Sequence, residues 1–232
     1  MYRLFDMLRE RGHRRTLLSV QKDNSAVVFI KDLSILITDD RLYHANHEDY
    51  TMIKELGVNL REWKIEDAPY LVAAINNKKV LDNLRDGIPY PYTEKDAEDF
   101  IGSVLNTVKN MQYVFAIAYN GKAVGTIGVY RKDNIHRLTG ELGYYIAEAY
   151  WGKGIATEAV RQMCGYIFEN TDIVRIFAEP YAHNEASCRV LEKAGFRFEG
   201  TLLHNAIKNG QLMDMKMYAN IKQDKGRGDY GH

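Results

Sequence analysis

The sequence predicts a mixed α/β (α+β) domain built on one sheet, mostly antiparallel but holding a parallel strand pair. Three stretches predict it. Residues 139–180 read as strand, glycine turn, long amphipathic helix and second strand, and a right-handed crossover of that kind makes the two strands parallel neighbours. Residues 112–119 and 123–131 are joined by Asn120-Gly121, the strongest hairpin signal in the chain. Residues 196–203 and 211–219, separated by Lys208-Asn209-Gly210, read as a closing antiparallel hairpin.

Taken in order, residues 1–57 form an N-terminal extension. Leu4, Phe5 and Leu8 make one face of a short helix, and Arg9, Arg11, His13, Arg14 and Arg15 make a basic cluster, read as solvated surface rather than a nucleic-acid site. Residues 26–30 and 33–38 read as a hairpin across Lys31-Asp32. The segment is either an appendage for a partner or for a homodimer, or it precedes a natural start at Met52. From 58 the pattern is regular. Residues 60–65 read as a strand, Asp67 as the cap of a helix to about 77, and 80–85 as a short helical turn. Pro89 and Pro91 break the pattern, and Thr93 with Asp96 opens a helix to about 109. Residues 58–221 thus form the main domain, and the polar, glycine-containing tail 222–232 is expected to be disordered.

In the strand at 141–146, Glu141, Gly143 and Tyr145 alternate with Leu142, Tyr144 and Ile146. The rows Ile155, Ala159, Met163, Ile167 and Ala156, Val160, Cys164, Phe168 then make one broad apolar helix face that packs on a sheet. A strand at 174–180 ends in proline. A short helix follows, with Asn184 as N-cap, Lys193 in its last turn and Gly195 at the left-handed position past its end.

Composition narrows the class. The chain has 232 residues, 46% of them hydrophobic, which suits one large domain with or without an appendage. Lys plus Arg and Asp plus Glu number 31 each, so nothing global points to nucleic acid or an acidic membrane. No apolar run is long enough to span a bilayer. Cys164 and Cys188 both fall on predicted helices, without a disulfide framework, which favours a reducing compartment such as the cytoplasm. The histidines, His183 and His204 among them, lack metal-ligand spacing, so no metal is expected.

The turn Trp151-Gly152-Lys153-Gly154-Ile155-Ala156 sets the first free amides of a helix at the end of a buried strand. Such amides and the positive end of the helix dipole bind anions, and a phosphate or pyrophosphate is the natural ligand. A turn with no ligand is the plainer alternative. Thr157 stands where the dinucleotide fingerprint needs its third glycine, and the P-loop pattern has no match.

The run ELGYYIAEAYWGKGIATEA, followed by AEPYAHNEASCRVLEKAGFRFEG, resembles the GNAT acyltransferase superfamily, and within it the branch that acetylates N-terminal amines of ribosomal proteins. The likeness extends over about 58–221 and implies a central mixed sheet with helices on both faces. It also implies that acetyl-CoA is co-substrate and that a primary amine or peptide N-terminus is the acceptor, with direct attack in a ternary complex. By that resemblance the backbone from Trp151 through Gly152, Lys153, Gly154, Ile155 and Ala156 to Thr157 takes the pyrophosphate, although the family often has Gln or Arg where this chain has Trp151. Tyr144, Tyr145 and Ile146 match the positions beside which the pantetheine arm lies. The amide of Ile146 is the candidate oxyanion donor, while the side chains of Tyr144 and Ile146 are read as core.

For the amine's proton, Glu141 is the candidate base, since a carboxylate on a central strand is costly unless it has a task or a partner. The alternative is a salt bridge to a neighbouring strand. For the thiolate, the family often has tyrosine seven residues after the helix-opening Asn, where this chain has Leu191. Ser187 is the substitute donor, or a local helix-start hydroxyl, and Asn184 either contacts pantetheine or caps the helix. Tyr90, Tyr92, His204 and Asn205, from the loops expected to flank the amine site, are the candidate acceptor contacts. Leu191 and the extension also motivate a second function class, a non-catalytic acyl-CoA sensor.

Overall fold

A computed structural model of the chain describes residues 57–107 and 110–223, together with four N-terminal strands. The chain divides into two compact units, 1–56 and 57–232. In the first, β1 (Thr16–Val20), β2 (Ala26–Ile30), β3 (Leu33–Thr38) and β4 (Arg41–Ala45) form an antiparallel sheet in chain order. The expected hairpin over 26–38 is its middle pair. The expected helix at 4–8, the basic cluster, Met52 and the tail from 224 lie outside the described residues.

The second unit contains β5 (Val58–Arg61), β6 (Gln112–Tyr119), β7 (Lys122–Arg131), β8 (Thr139–Ile146), β9 (Arg175–Ala178), β10 (Arg197–Lys208) and β11 (Gln211–Ile221). They form one sheet, ordered β10-β11-β9-β8-β7-β6-β5. Each neighbouring pair is antiparallel except β8 with β9. The helices are α1 (Ala68–Ile75), α2 (Lys78–Leu81), α3 (Glu94–Leu105), α4 (Ile155–Asn170) and α5 (Glu185–Lys193). Mixed sheet, parallel pair and helices are as the sequence predicts.

The two-residue period of the strands sorts the helices onto opposite faces. Val114, Ala116, Ala123 and Tyr145 pack with Trp63, Leu71, Ile75, Ala97 and Ile101, which places α1 and α3 on that side. Tyr113 and Phe115, of opposite parity on β6, meet Tyr166 of α4 edge-on at 6.2 and 5.1 Å. Both faces of the central strands are therefore covered, and Ile117, Ile127, Val129, Met163 and Ile167 are buried.

Local chemistry explains most boundaries. Asn120 and Gly121 have φ of 49° and 80°, and Asn209 and Gly210 of 51° and 77°, the left-handed pair a tight hairpin turn demands. Thr93 and Asp96 form the reciprocal capping box expected of them, with bonds of 3.2 and 2.8 Å. Four expectations need correcting. The first strand runs over Val58–Arg61 rather than 60–65, and Ile65 already belongs to a helical turn, Ile65–Asp67. Asp67 does not cap α1: its carboxylate accepts two bonds from Arg61, at 2.6 and 2.8 Å, and the Lys64 amide at 3.1 Å. The short helix after α1 starts earlier, at Lys78, because Asn77 caps it by accepting from the Lys79 amide at 2.9 Å. Residues 203–208 are strand rather than loop: β10 breaks register between Leu202 and Ala206, where His204 has φ 52°, and then resumes to Lys208.

Candidate active site

β8 and β9 pair only through 139↔175, 140↔176 and 141↔177. Beyond Glu141, β8 runs on to Ile146 while the chain after β9 stays with β11. Pro180 accepts the Lys216 amide at 3.0 Å, and the Ala182 amide donates to Asp214 at 2.8 Å. The two strands therefore splay, and a cavity of about 540 Å³ opens between them. Its walls are residues 141–146 of β8, 178–181 at and past the end of β9, the turn before α4, α5, and α2 with the residues after it to Arg85.

Polar backbone of β8 faces this wedge. The Ala147 amide is used across the sheet, on the Val124 carbonyl at 2.8 Å. Strand alternation then turns the amides of Ile146 and Tyr144 to the opposite side, where β9 has departed. Side chains follow the predicted alternation. Leu142 and Ile146 are buried on the α4 side, and Tyr145 is packed under α1 and α3, so it borders the cavity through its backbone. Trp151 closes the end of β8, its indole N–H donating to the Ile146 carbonyl at 2.9 Å.

The turn into α4 has the geometry its glycines suggest. Gly152 and Gly154 take φ of 74° and 77°, and Gly154 occupies the N-cap position of a sixteen-residue helix. The first bond back to the turn is from the Glu158 amide to the Gly154 carbonyl at 3.1 Å, so the amides of Ile155, Ala156 and Thr157 have no intrahelical acceptor. Gly152, Gly154 and Ile155 to Thr157 all line the cavity. The Lys153 side chain turns away instead, donating to the Ala149 carbonyl at 2.9 Å and covering the Tyr150 ring.

Across the wedge, Asn184 caps α5 by accepting the Ser187 amide at 3.1 Å. The Ser187 hydroxyl lies 2.9 Å from that of Tyr144, and both line the cavity. This corrects the reading of the Tyr144 side chain as plain core: its ring is packed, but its hydroxyl is part of a polar pair. Burial pushes the Tyr144 phenol well above its ordinary value, so the group is a proton holder at neutral pH. Leu191 is fully buried and does not reach the cavity, while Cys188 is a buried free thiol.

At the open end, Glu141 accepts from Lys132 Nζ at 2.8 Å and from Arg85, the ion-paired alternative weighed for it. Glu179, at the C-terminal end of β9, differs. It is half-buried, and among the described residues it forms neither a hydrogen bond nor a salt bridge. Burial, reinforced by the charge of Glu141 and opposed by Arg85 and Lys132, raises its carboxyl above the usual value. The sequence reading missed Glu179. Its signal was an acid immediately before the proline that ends a parallel strand, at the end where open sheets bind ligands.

Glu179, Arg85, Tyr181 and Met215 also line a second cavity of about 210 Å³, so the two cavities adjoin. Asn205 lies there, its amide 3.4 Å from the Met215 sulfur. The other acceptor candidates are not brought in. Tyr92 is a core residue, its backbone bonded both ways to Asn76 and its hydroxyl donating to the Asp96 carbonyl at 3.1 Å. Tyr90 is exposed and lines neither cavity. His204 is exposed in the β10 irregularity, its amide held by Asp214 at 2.8 Å. Among the described residues no cluster of His, Cys, Asp and Glu is suited to a metal ion.

Comparisons with known proteins agree with this architecture. Residues 58–197 match the model of the acetyltransferase (GNAT) domain family. The probable N-acetyltransferase YjcK of Bacillus subtilis (strain 168) is 36% identical over 118 residues, covering 50% of this chain and 65% of the relative. The putative ribosomal N-acetyltransferase YdaF of the same organism is 33% identical over 108 residues, 47% of this chain and 58% of the relative. The chain thus spans less than two thirds of each of these relatives. Among solved structures, the ribosomal L7/L12 alpha-N-protein acetyltransferase RimL, in complex with coenzyme A, superposes with a TM-score of 0.64. It shares 22% identity, and the match covers 71% of this chain and 94% of that one, a likeness of fold.

Proposed function

The chain belongs to the acetyltransferase (GNAT) domain family, and from that premise we propose that it transfers the acetyl group of acetyl-CoA to a primary amine by direct attack in a ternary complex. The observation that carries the reading is the splay of β8 from β9, with inward-facing amides on one wall and a helix N-terminus at its end.

The diphosphate of acetyl-CoA meets the amides of the turn and of Ile155 to Thr157, where unpaired donors and the helix dipole converge. The pantetheine arm extends along 144–146 in the position a neighbouring strand would take. The thioester carbonyl then accepts from the Ile146 amide, which stabilises the negative charge of the tetrahedral intermediate.

The acceptor enters from the smaller cavity. Glu179 takes a proton from its ammonium, directly or through water, and the free amine attacks the carbonyl carbon. This assigns to Glu179 the role expected of Glu141, whose oxygens are engaged by two cations. As the intermediate collapses, the C–S bond breaks and the thiolate takes a proton from Ser187, whose hydroxyl is backed by that of Tyr144, while the second proton on the acylated nitrogen leaves through water and restores the Ser187 hydroxyl.

The acceptor is a protein N-terminus or a small free amine. A chamber of about 210 Å³ lined by Ala206, Ile207, Met215 and Asn205 as well as charged groups admits a single residue or a slender amine. In a thiol-release assay with acetyl-CoA, Glu179→Gln should lower kcat by about 10²-fold or more at unchanged acetyl-CoA affinity. Undiminished turnover would remove Glu179 from the mechanism.

A further inference from the structure

Around the junction of the two cavities stand Glu141, Glu179, Arg85 and Lys132, and their pairing is lopsided. Glu141 and Phe177 are register partners, so their side chains share a face, and Glu179, the residue just past β9 and two after Phe177, follows it by the same alternation. Lys132, just past β7, reaches over the Phe177 ring at 5.5 Å and donates to Glu141 Oε2 at 2.8 Å. Arg85, from the segment after α2, donates to Glu141 Oε1. Both cations act electrostatically on Glu179, yet among the described residues neither bonds it.

We infer that Glu141 is a positioning residue: by engaging Arg85 and Lys132 with its two oxygens, it keeps both cations off Glu179 and leaves that carboxylate open to the acceptor's ammonium. The inference rests on Glu179 being the proton acceptor, as proposed above. A carboxylate with a guanidinium beside it ordinarily closes into an ion pair, which occupies its oxygens and weakens it as a base. Glu141 prevents this because it sits between β7 and β9, one oxygen towards each cation. The other groups facing the junction leave the arrangement intact. Asp86 is held by Lys208 at 2.8 Å. Tyr130, opposite Glu141 on β7, has its phenol raised by burial and by the Glu141 charge and stays neutral. Tyr181 and Asn205 carry no charge there.

The sign follows from the same contacts. Replacing Glu141 by Gln removes a negative charge that favours the protonated form of Glu179. It also releases two cations that disfavour that form, so both effects lower the Glu179 pKa. The test is a ¹³C NMR titration of the Glu179 carboxyl in the full chain without ligand, its signal assigned by its loss in Glu179→Gln. Glu141→Gln should move the Glu179 midpoint to lower pH, and adding Arg85→Gln and Lys132→Met should bring it back up. Glu141→Asp, which keeps the charge but shortens the reach, should shift it less, and it serves if Glu141→Gln does not fold. An unchanged or raised midpoint in Glu141→Gln, or in Glu141→Asp where that replaces it, overturns the inference. The reading beneath fails differently, through full turnover in Glu179→Gln.

Discussion

The Ser187 and Tyr144 hydroxyls, 2.9 Å apart, have no equivalent elsewhere along the described wall of the larger cavity. If this pair protonates the departing thiolate, Ser187→Ala should lower kcat by about 10²-fold with little change in acetyl-CoA affinity. Tyr144→Phe should have a smaller effect of the same kind, since Ser187 Oγ remains. Stopped-flow thiol release beside calorimetric binding separates the two, and a rise in Kd with constant kcat would make the hydroxyls binding groups instead. Single residues were the least legible scale in the sequence. The backbone geometry of the turn from Gly152 to Thr157 followed from local spacing. The choice between Glu141 and Glu179 did not, because it depends on Arg85 and Lys132 arriving from distant segments. Tyr92 looked like a loop aromatic, but its buried seat against α1 and α3 comes from tertiary packing.

At the scale of elements, the strand–turn–helix unit was readable because everything that determines it is short-range: alternation, two glycines and one apolar stripe. The splay was not, because it arises where β9 keeps its bonds to β11 and abandons β8, a contest among three strands distant in sequence. The extent of β10 was missed for a similar reason, since its pairing resumes after an irregularity that resembles a loop in sequence. Two glycines test the unit. A Cβ at Gly154 meets nothing within 4 Å, so Gly154→Ala should cost only the left-handed backbone preference, about 1–2 kcal/mol. Because that strain falls on the turn proposed to hold the diphosphate, acetyl-CoA affinity should fall several-fold. A Cβ at Gly125 would lie 2.2 Å from the Tyr145 carbonyl oxygen, so Gly125→Ala must displace the β8 segment that carries the Ile146 amide. Thermal unfolding and kcat should both suffer more in Gly125→Ala than in Gly154→Ala, and the reverse order would contradict the assigned geometry.

Across the second unit, the central strands of the seven-stranded sheet are covered on both faces, and the edge strand β5 is tied to the turn just before α1 by the Arg61–Asp67 ion pair. Burial pushes the Asp67 carboxyl up, but the Arg61 bonds and the Lys64 amide outweigh it and hold the group below the usual carboxylate range. A depressed value means that this contribution is present above the unfolded-state pKa and lost as pH falls through the folded one. Asp67→Asn should therefore cost about 2 kcal/mol at neutral pH, the size of lost hydrogen bonds to a charged group, and progressively less under acid, read from denaturant unfolding at several pH values. A constant difference across pH would assign the loss to packing. Fold class and strand pairing were legible at this scale because hairpin turns, crossover handedness and amphipathic periods all agreed. The meeting of two cavities at Glu179 emerged only in three dimensions.

The most direct test of the account is a crystal structure of the chain grown with coenzyme A. It should show diphosphate oxygens within hydrogen-bonding distance, about 3 Å, of the amides from Gly154 to Thr157. The pantetheine arm should lie beside residues 144–146, its sulfur directed towards Ser187 and Glu179. Coenzyme A bound elsewhere, or a wedge closed by side chains with β8 and β9 paired to their ends, would contradict it.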